Sequence, residues 1–142
     1  MDLAVSTSDL PRLMDAHLAL IGTDVERWLG LFAADAVVEF PYAPSLGMPS
    51  RLEGINAIRA YFEPITQRFQ GLTFTDVQRY PTTDPNVGWM EVHGSATLLP
   101  SHFHYEQDYV MRLHIREGRI VRYREYWNPL AAPAGTFGKE QA

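Results

Sequence analysis

Of the residues able to do acid–base chemistry, Glu125 has the most unusual setting. It lies in the run HFHYEQDYVMRLHIREGRIVRYREYWNPL, His102 to Leu130, where two alternating segments flank Glu117-Gly118 in the manner of a β-hairpin. Tyr105, Gln107, Tyr109, Met111, Leu113 and Ile115 share one face of the first segment, and Val121, Tyr123, Glu125 and Trp127 share one face of the second. A two-residue turn would set Leu113 against Arg122. A three-residue turn, Arg116-Glu117-Gly118 with Gly118 left-handed, pairs Leu113 with Val121, Met111 with Tyr123 and Tyr109 with Glu125, so the apolar sets agree. Glu125 is then an inward carboxylate among aromatic rings. Burial disfavours the charged form and raises a carboxyl pKa, and a Glu moved towards neutrality can give and take a proton near pH 7. The placement also suits a structural Glu paired with an inward Arg or a Tyr hydroxyl. His104, Glu106, Asp108, Arg112, His114, Arg122 and Arg124 fall on the opposite face.

Other residues are weighed beside it. His17 lies on an apolar helical stripe, where an imidazole either exchanges protons and orients Glu125 or serves as a hydrogen-bonded core residue. Tyr109 and Tyr123 are expected to orient Glu125 or a ligand oxygen, and Trp127, Phe40 and Phe62 to line the walls. Tyr42 falls either at the cavity mouth or on surface prolines. His102 and His104 have a spacing that metals use, but both lie on the outward face without a third fixed ligand, so no metal is expected. The chain has no Gly-rich phosphate loop, no G-x-S-x-G and no H-E-x-x-H; no cofactor is expected.

The elements that must position these residues follow from periodicity and punctuation. Leu10, Leu13, Met14, His17, Leu18 and Ile21 predict a helix over about 8–21, with Pro11 in its first turn and Gly22 at its end. Thr23-Asp24-Val25-Glu26 reads as a capping box with Thr23 as N-cap, opening a second helix that buries Val25, Trp28, Leu29 and Phe32. Ala36 to Phe40 is a strand, followed by an irregular Pro- and Gly-rich stretch. A third helix starts after Gly54, with Ile55, Ile58, Phe62, Ile65 and Phe69 inward and Pro64 kinking or dividing it. Leu72–Tyr80, bulged near Thr75-Asp76, and Val87–Leu99 are strands, and the hairpin completes the sheet. Residues 1–6 and 131–142 read as loose tails of a single domain with its core over about 8–130. The order predicts an α+β fold, a curved, mostly antiparallel sheet with three helices over its concave face and a cavity between.

Composition agrees with one globular domain. The 142 residues are 46% hydrophobic and 20% charged, and 12% are aromatic, enough for a lined cavity as well as a core. A net charge of −5 suggests no nucleic-acid or anionic-membrane partner. The absence of cysteine excludes disulfides and thiolate chemistry and fits a cytoplasmic location. The N-terminus reads as no signal peptide, and no segment is long enough to span a membrane.

WLGLFAADAVVEFPYAP, RLEGINAIRAYF and GRIVRYREYWNP resemble the SnoaL-like polyketide cyclase group of the nuclear transport factor 2-like superfamily, over roughly residues 10–130. FTDVQRYPTTDPNVGWMEVHG with REYWNP is similar to the phenazine biosynthesis protein A/B family. That resemblance implies a cone-shaped fold, a small apolar carbonyl or cyclic ligand, and an acid/base glutamate at Glu125. It implies isomerisation, cyclisation, condensation or dehydration; a non-catalytic binding module or a dimeric interaction domain is the alternative. The third-helix histidine of the phenazine proteins falls near Arg59, so that part of the site is changed and Arg59 joins the expected ligand-contacting residues. The general-base Asp of ketosteroid isomerase falls on Phe40, its helix-one Tyr falls near Ala16, and its oxyanion-hole Asp lies on the strand of Asp108, which faces away. Steroid isomerisation by that apparatus is therefore not expected, nor is epoxide hydrolysis, since no inward Asp–Arg–Asp set can be assembled. The resembled families pair through the outer sheet face, which implies a homodimer.

Overall fold

A computed structural model of the chain describes residues 9–137. The expected N-terminal tail, the first residue of the predicted first helix and positions 138–142 lie outside the described residues. Three helices and six strands follow one another: α1 (Leu10–Leu20), α2 (Val25–Leu29), β1 (Phe32–Glu39), β2 (Arg51–Glu53), α3 (Ile55–Arg68), β3 (Phe69–Pro81), β4 (Val87–Leu98), β5 (Phe103–Arg116) and β6 (Arg119–Trp127). The sheet order is β2-β1-β6-β5-β4-β3. Among the described strands only the β1–β6 pair is parallel, so the sheet is mixed but mostly antiparallel. The α+β expectation holds. β2 was not anticipated: it lies in the stretch read as irregular, after a short 3₁₀ turn at Ala43–Leu46.

The local chemistry is mostly as expected, but Phe32 and Phe69, read as helical, open β1 and β3, and three further readings change. Asp24, not Thr23, caps α2: its Oδ1 accepts the Arg27 N–H at 3.1 Å, while the Thr23 hydroxyl donates back to the Ala19 carbonyl. α3 runs through Pro64 without division. The C-terminal stretch read as loose is packed as far as Phe137, whose ring stacks on Phe69 and meets Tyr105 edge-on. Arg68 secures it by donating to the Thr136 carbonyl at 2.7 Å. The expected bulge in β3 is present, between Thr75 and Gln78, with Asp76 at φ 54°.

The hairpin register differs from the expectation in an instructive way. The turn has two residues, Glu117 and Gly118, both at positive φ as the primed hairpin turns require. By itself it would turn the apolar positions of β6 to the wrong face. A bulge absorbs the mismatch: Ile115 pairs with Ile120 and His114 with Arg122, leaving Val121 as the extra residue. Leu113 therefore faces Tyr123, Met111 faces Glu125 and Tyr109 faces Trp127. Ile120 takes the buried position assigned to Val121, while Tyr123 and Glu125 point inward as expected.

The outer face carries the polar set. Glu39 is held by Arg51 and Arg124 at 2.9 and 3.0 Å, and His93 sits between Asp108 and Glu106. Trp89 stacks on Tyr126, with Tyr42 edge-on to the same ring.

Gly118 at φ 77° is conformationally required. Gly118→Ala is expected to lower stability by about 1–2 kcal/mol in urea denaturation, because an L side chain is strained there. An unchanged midpoint would contradict the turn assignment.

Candidate active site

Helical periodicity places His17 one to two turns beyond Leu10, Leu13 and Met14, on the buried face of α1. α2 places Trp28, which is fully buried, beside it. β6 contributes Tyr123 and Glu125, two residues apart and so on one face of the strand. These four side chains form one hydrogen-bonded chain. The Trp28 indole N–H donates to His17 Nδ1 at 2.9 Å. His17 Nε2 lies 3.1 Å from the Tyr123 hydroxyl, and that hydroxyl donates to Glu125 Oε1.

The direction of every proton in the chain follows from its first link. An indole N–H can only donate, so His17 Nδ1 must accept. The neutral ring then carries its proton on Nε2 and donates it to the Tyr123 oxygen. That leaves the Tyr123 proton free for Glu125. A second proton on His17 would point at the Trp28 N–H, and burial already lowers the His17 pKa to about 3.

Glu125 is moved the other way. Burial raises its pKa to about 7, although hydrogen bonds from Tyr123 and Trp127 favour the ionised form and pull it down. Burial also pushes up the hydroxyls of Tyr61, Tyr105, Tyr109 and Tyr123, and the nearby Glu125 charge adds to each.

Glu125 faces two apolar lobes, each with a volume of about 70 Å³. The first is lined by Phe40, Met48, Tyr61, Tyr105, Trp127 and Phe137, and the second by Ile21, Thr66, Leu72, Phe74 and Met111. Both share Phe62, Ile65, Phe69, Tyr109 and Glu125, so the carboxyl stands where the lobes meet. Gly22 also borders the second lobe; a Cβ there would lie 2.9 Å from Leu72, so a side chain would collide with that wall.

The structure therefore brings together Glu125, Tyr109, Phe40, Phe62 and Trp127. His17 and Tyr123 sit behind the wall instead of on it, both fully buried. Two expected ligand contacts are elsewhere. Tyr42 is 51% exposed on the outer face against Tyr126, because the 3₁₀ turn carries it away from the mouth. Arg59 projects outward from α3 and pairs with Glu26 and Glu63. Sequence reasoning missed Tyr61, which stacks on Phe40, and Phe137. Tyr61 precedes the predicted inward Phe62, and that adjacency was its one signal. It also missed Trp28 as the donor that fixes the His17 tautomer.

With the geometry in view, the chain can be compared with known proteins. The SnoaL-like domain profile matches residues 12–123. An uncharacterized PhzA/B-like protein of Pseudomonas aeruginosa is 39% identical over 119 residues, covering 84% of this chain and 83% of that protein. The crystal structure of a candidate isomerase from Bacillus subtilis superposes with a TM-score of 0.78 at 35% identity, covering 84% of this chain and 86% of that one. A phenazine biosynthesis-related protein of Pseudomonas aeruginosa superposes with a TM-score of 0.74 at 21% identity, covering 85% and 76%, a likeness of fold alone.

The two opposite pKa shifts give a testable pH signature. Between about 4.5 and about 7 the unfolded chain releases the Glu125 proton that the folded chain keeps, so this term lowers stability as pH rises, by on the order of 3 kcal/mol over the window. Between about 3 and 6.5 the unfolded chain binds a His17 proton that the folded chain refuses, so that term raises stability with pH. The slopes oppose each other where they overlap. Glu125→Gln removes the first alone. Its stability relative to the parent should therefore climb as pH rises from about 4.5 to above 7, measured by urea denaturation across that range. A constant difference would show that Glu125 does not hold its proton in the folded state.

Proposed function

We propose that this chain, which belongs to the SnoaL-like domain family, binds a small apolar carbonyl or cyclic compound in the two-lobed cavity and moves a proton on it with Glu125. The observation that carries the reading is the position of that carboxyl. It lies where two apolar lobes meet, with a pKa near 7 and a hydrogen-bond donor fixed behind it.

A carboxyl poised in this way can take a proton from a carbon next to a carbonyl and return it at another position. The rest of the cavity restricts what else can happen. Its tyrosines are held protonated; Tyr109 gives its proton to Tyr105, while Tyr61 and Tyr105 can donate to a ligand oxygen, as an oxyanion stabiliser must. Isomerisation, cyclisation, condensation and dehydration all use these steps. The structural likeness to a protein described as a candidate isomerase supports this class of chemistry. His17 is assigned a positioning role: it fixes the Tyr123 hydroxyl, which in turn fixes Glu125.

The outer sheet face supports a homodimer. Glu91, Glu106 and Asp108 lie towards one side and Arg112, Arg122 and Arg124 towards the other, across the exposed Val110 and the Trp89–Tyr126 stack. A two-fold axis through such a face sets each acidic side against a basic one. Solution scattering should report about twice 16.1 kDa, and a monomer at high micromolar concentration would overturn the dimer without touching the cavity.

Glu125→Gln should keep ligand affinity within a few-fold while turnover falls by roughly two to four decades. Tyr123→Phe removes a donor to the ionised carboxyl, so it should move the Glu125 midpoint upward and carry the pH–rate profile with it. Full turnover in Glu125→Gln would remove Glu125 from the proton transfer, whereas ligand binding without turnover in the parent chain would leave it a binding module. The alternative of a Glu paired with an inward Arg is not what the structure holds: among the described residues no cation borders Glu125, whose partner is the Tyr123 hydroxyl.

A further inference from the structure

The wall of the cavity is chemically one-sided. Among the described residues, no Arg, Lys or His borders either lobe. Nearby cations are committed elsewhere. Arg68 lies over the Phe137 ring and donates to the Leu99 and Thr136 carbonyls. Arg59 is paired on the outside of α3, and His17 is locked in its neutral tautomer behind Tyr123. The ionisable groups facing Glu125 are Tyr61 from α3, Tyr105 and Tyr109 from β5 and Tyr123 from β6, with His17 of α1 behind the last. None supplies a positive charge.

The consequence for a ligand depends on its charge. An uncharged ring compound loses little on entry, and its flat faces meet Phe40, Tyr61, Phe69, Tyr105 and Trp127. Its oxygen can accept from protonated Glu125 or from a tyrosine. A carboxylate gives up its hydration, finds no counter-ion and meets a like charge where the lobes join.

Resting on the ligand-binding cavity of the preceding subsection, we propose that the site takes uncharged ring compounds bearing one hydrogen-bonding oxygen, and that Glu125 is the residue that rejects their carboxylate analogues. A carboxylate then enters only when Glu125 is protonated and shares its proton. Its affinity should fall about ten-fold for each pH unit above the Glu125 midpoint, whereas that of the ketone should stay nearly level. The neighbouring tyrosines are pushed up and His17 down, so neither kind of group contributes a transition in that range.

The test uses two probes of matched shape, 2-acetylnaphthalene and 2-naphthoate. Calorimetric titration is run at about pH 6 and about pH 8 on the full chain and on Glu125→Gln. The expected result is a ketone affinity that changes little with pH and a naphthoate affinity about ten-fold weaker at the higher pH. In Glu125→Gln that pH dependence should disappear and the gap between the probes should narrow. Equal binding of both probes by the parent chain at about pH 8 would overturn the charge selection while leaving the cavity as a binding site. Undiminished discrimination in Glu125→Gln would move the rejection from Glu125 to the apolar wall. Binding of neither probe would defeat the cavity reading itself. Should the variant fail to fold, the pH dependence of naphthoate binding to the parent chain still decides the point.

Discussion

A carboxyl group among aromatic rings must have a hydrogen-bond donor, and the structure is arranged around providing one. Tyr123 donates to Glu125, His17 fixes the Tyr123 oxygen, and Trp28 fixes the His17 ring. The chain of contacts joins β6 to α1 and α1 to α2. It explains why an otherwise apolar face of α1 carries a histidine with no exposed surface. Removing one member would strand a buried donor or acceptor, at a cost of about 1–3 kcal/mol.

The same burial moves the two ends of this chain in opposite directions. It makes the acid weaker and the imidazole a weaker base, so the pair does not exchange a proton near neutrality. His17 has no means of acting as an ion there. Together with tyrosines whose hydroxyls stay protonated, this leaves Glu125 as the group among the described cavity residues that changes charge near pH 7. The site is thus a single proton carrier surrounded by neutral donors.

Much of this was legible in the residue pattern. Alternation in HYEQDYVMRLHI sorted the inner from the outer face of β5 without error, and helical spacing put His17 inside. The pairing of β6 was not legible. A two-residue turn plus a bulge at Val121 and a three-residue turn without one give the same facing for Tyr123 and Glu125, so face and register are separate questions. Only partner strands distinguish them. Tyr42 and Arg59 were misplaced because a residue's neighbours in sequence do not report the path of an irregular loop or the rotation of a helix about its axis. Phe137 was overlooked because PLAAPAGTF has the composition of a tail; its order comes from Arg68, Phe69 and Tyr105, all distant in sequence.

The late position of the cavity's wall in the chain bears on how the domain is delimited. The stretch that matches the family profile stops at Tyr123. Two residues later comes Glu125, then Trp127, and finally Phe137 against the rim. A polypeptide trimmed to the matched stretch would keep most of the sheet and of the three helices yet lose the carboxyl and two of the rings around it. A fusion joined directly after Tyr123 would put its linker where the end of β6 should be. For this domain, a boundary drawn from similarity and a boundary drawn from the cavity are different boundaries, and only the second encloses a complete pocket.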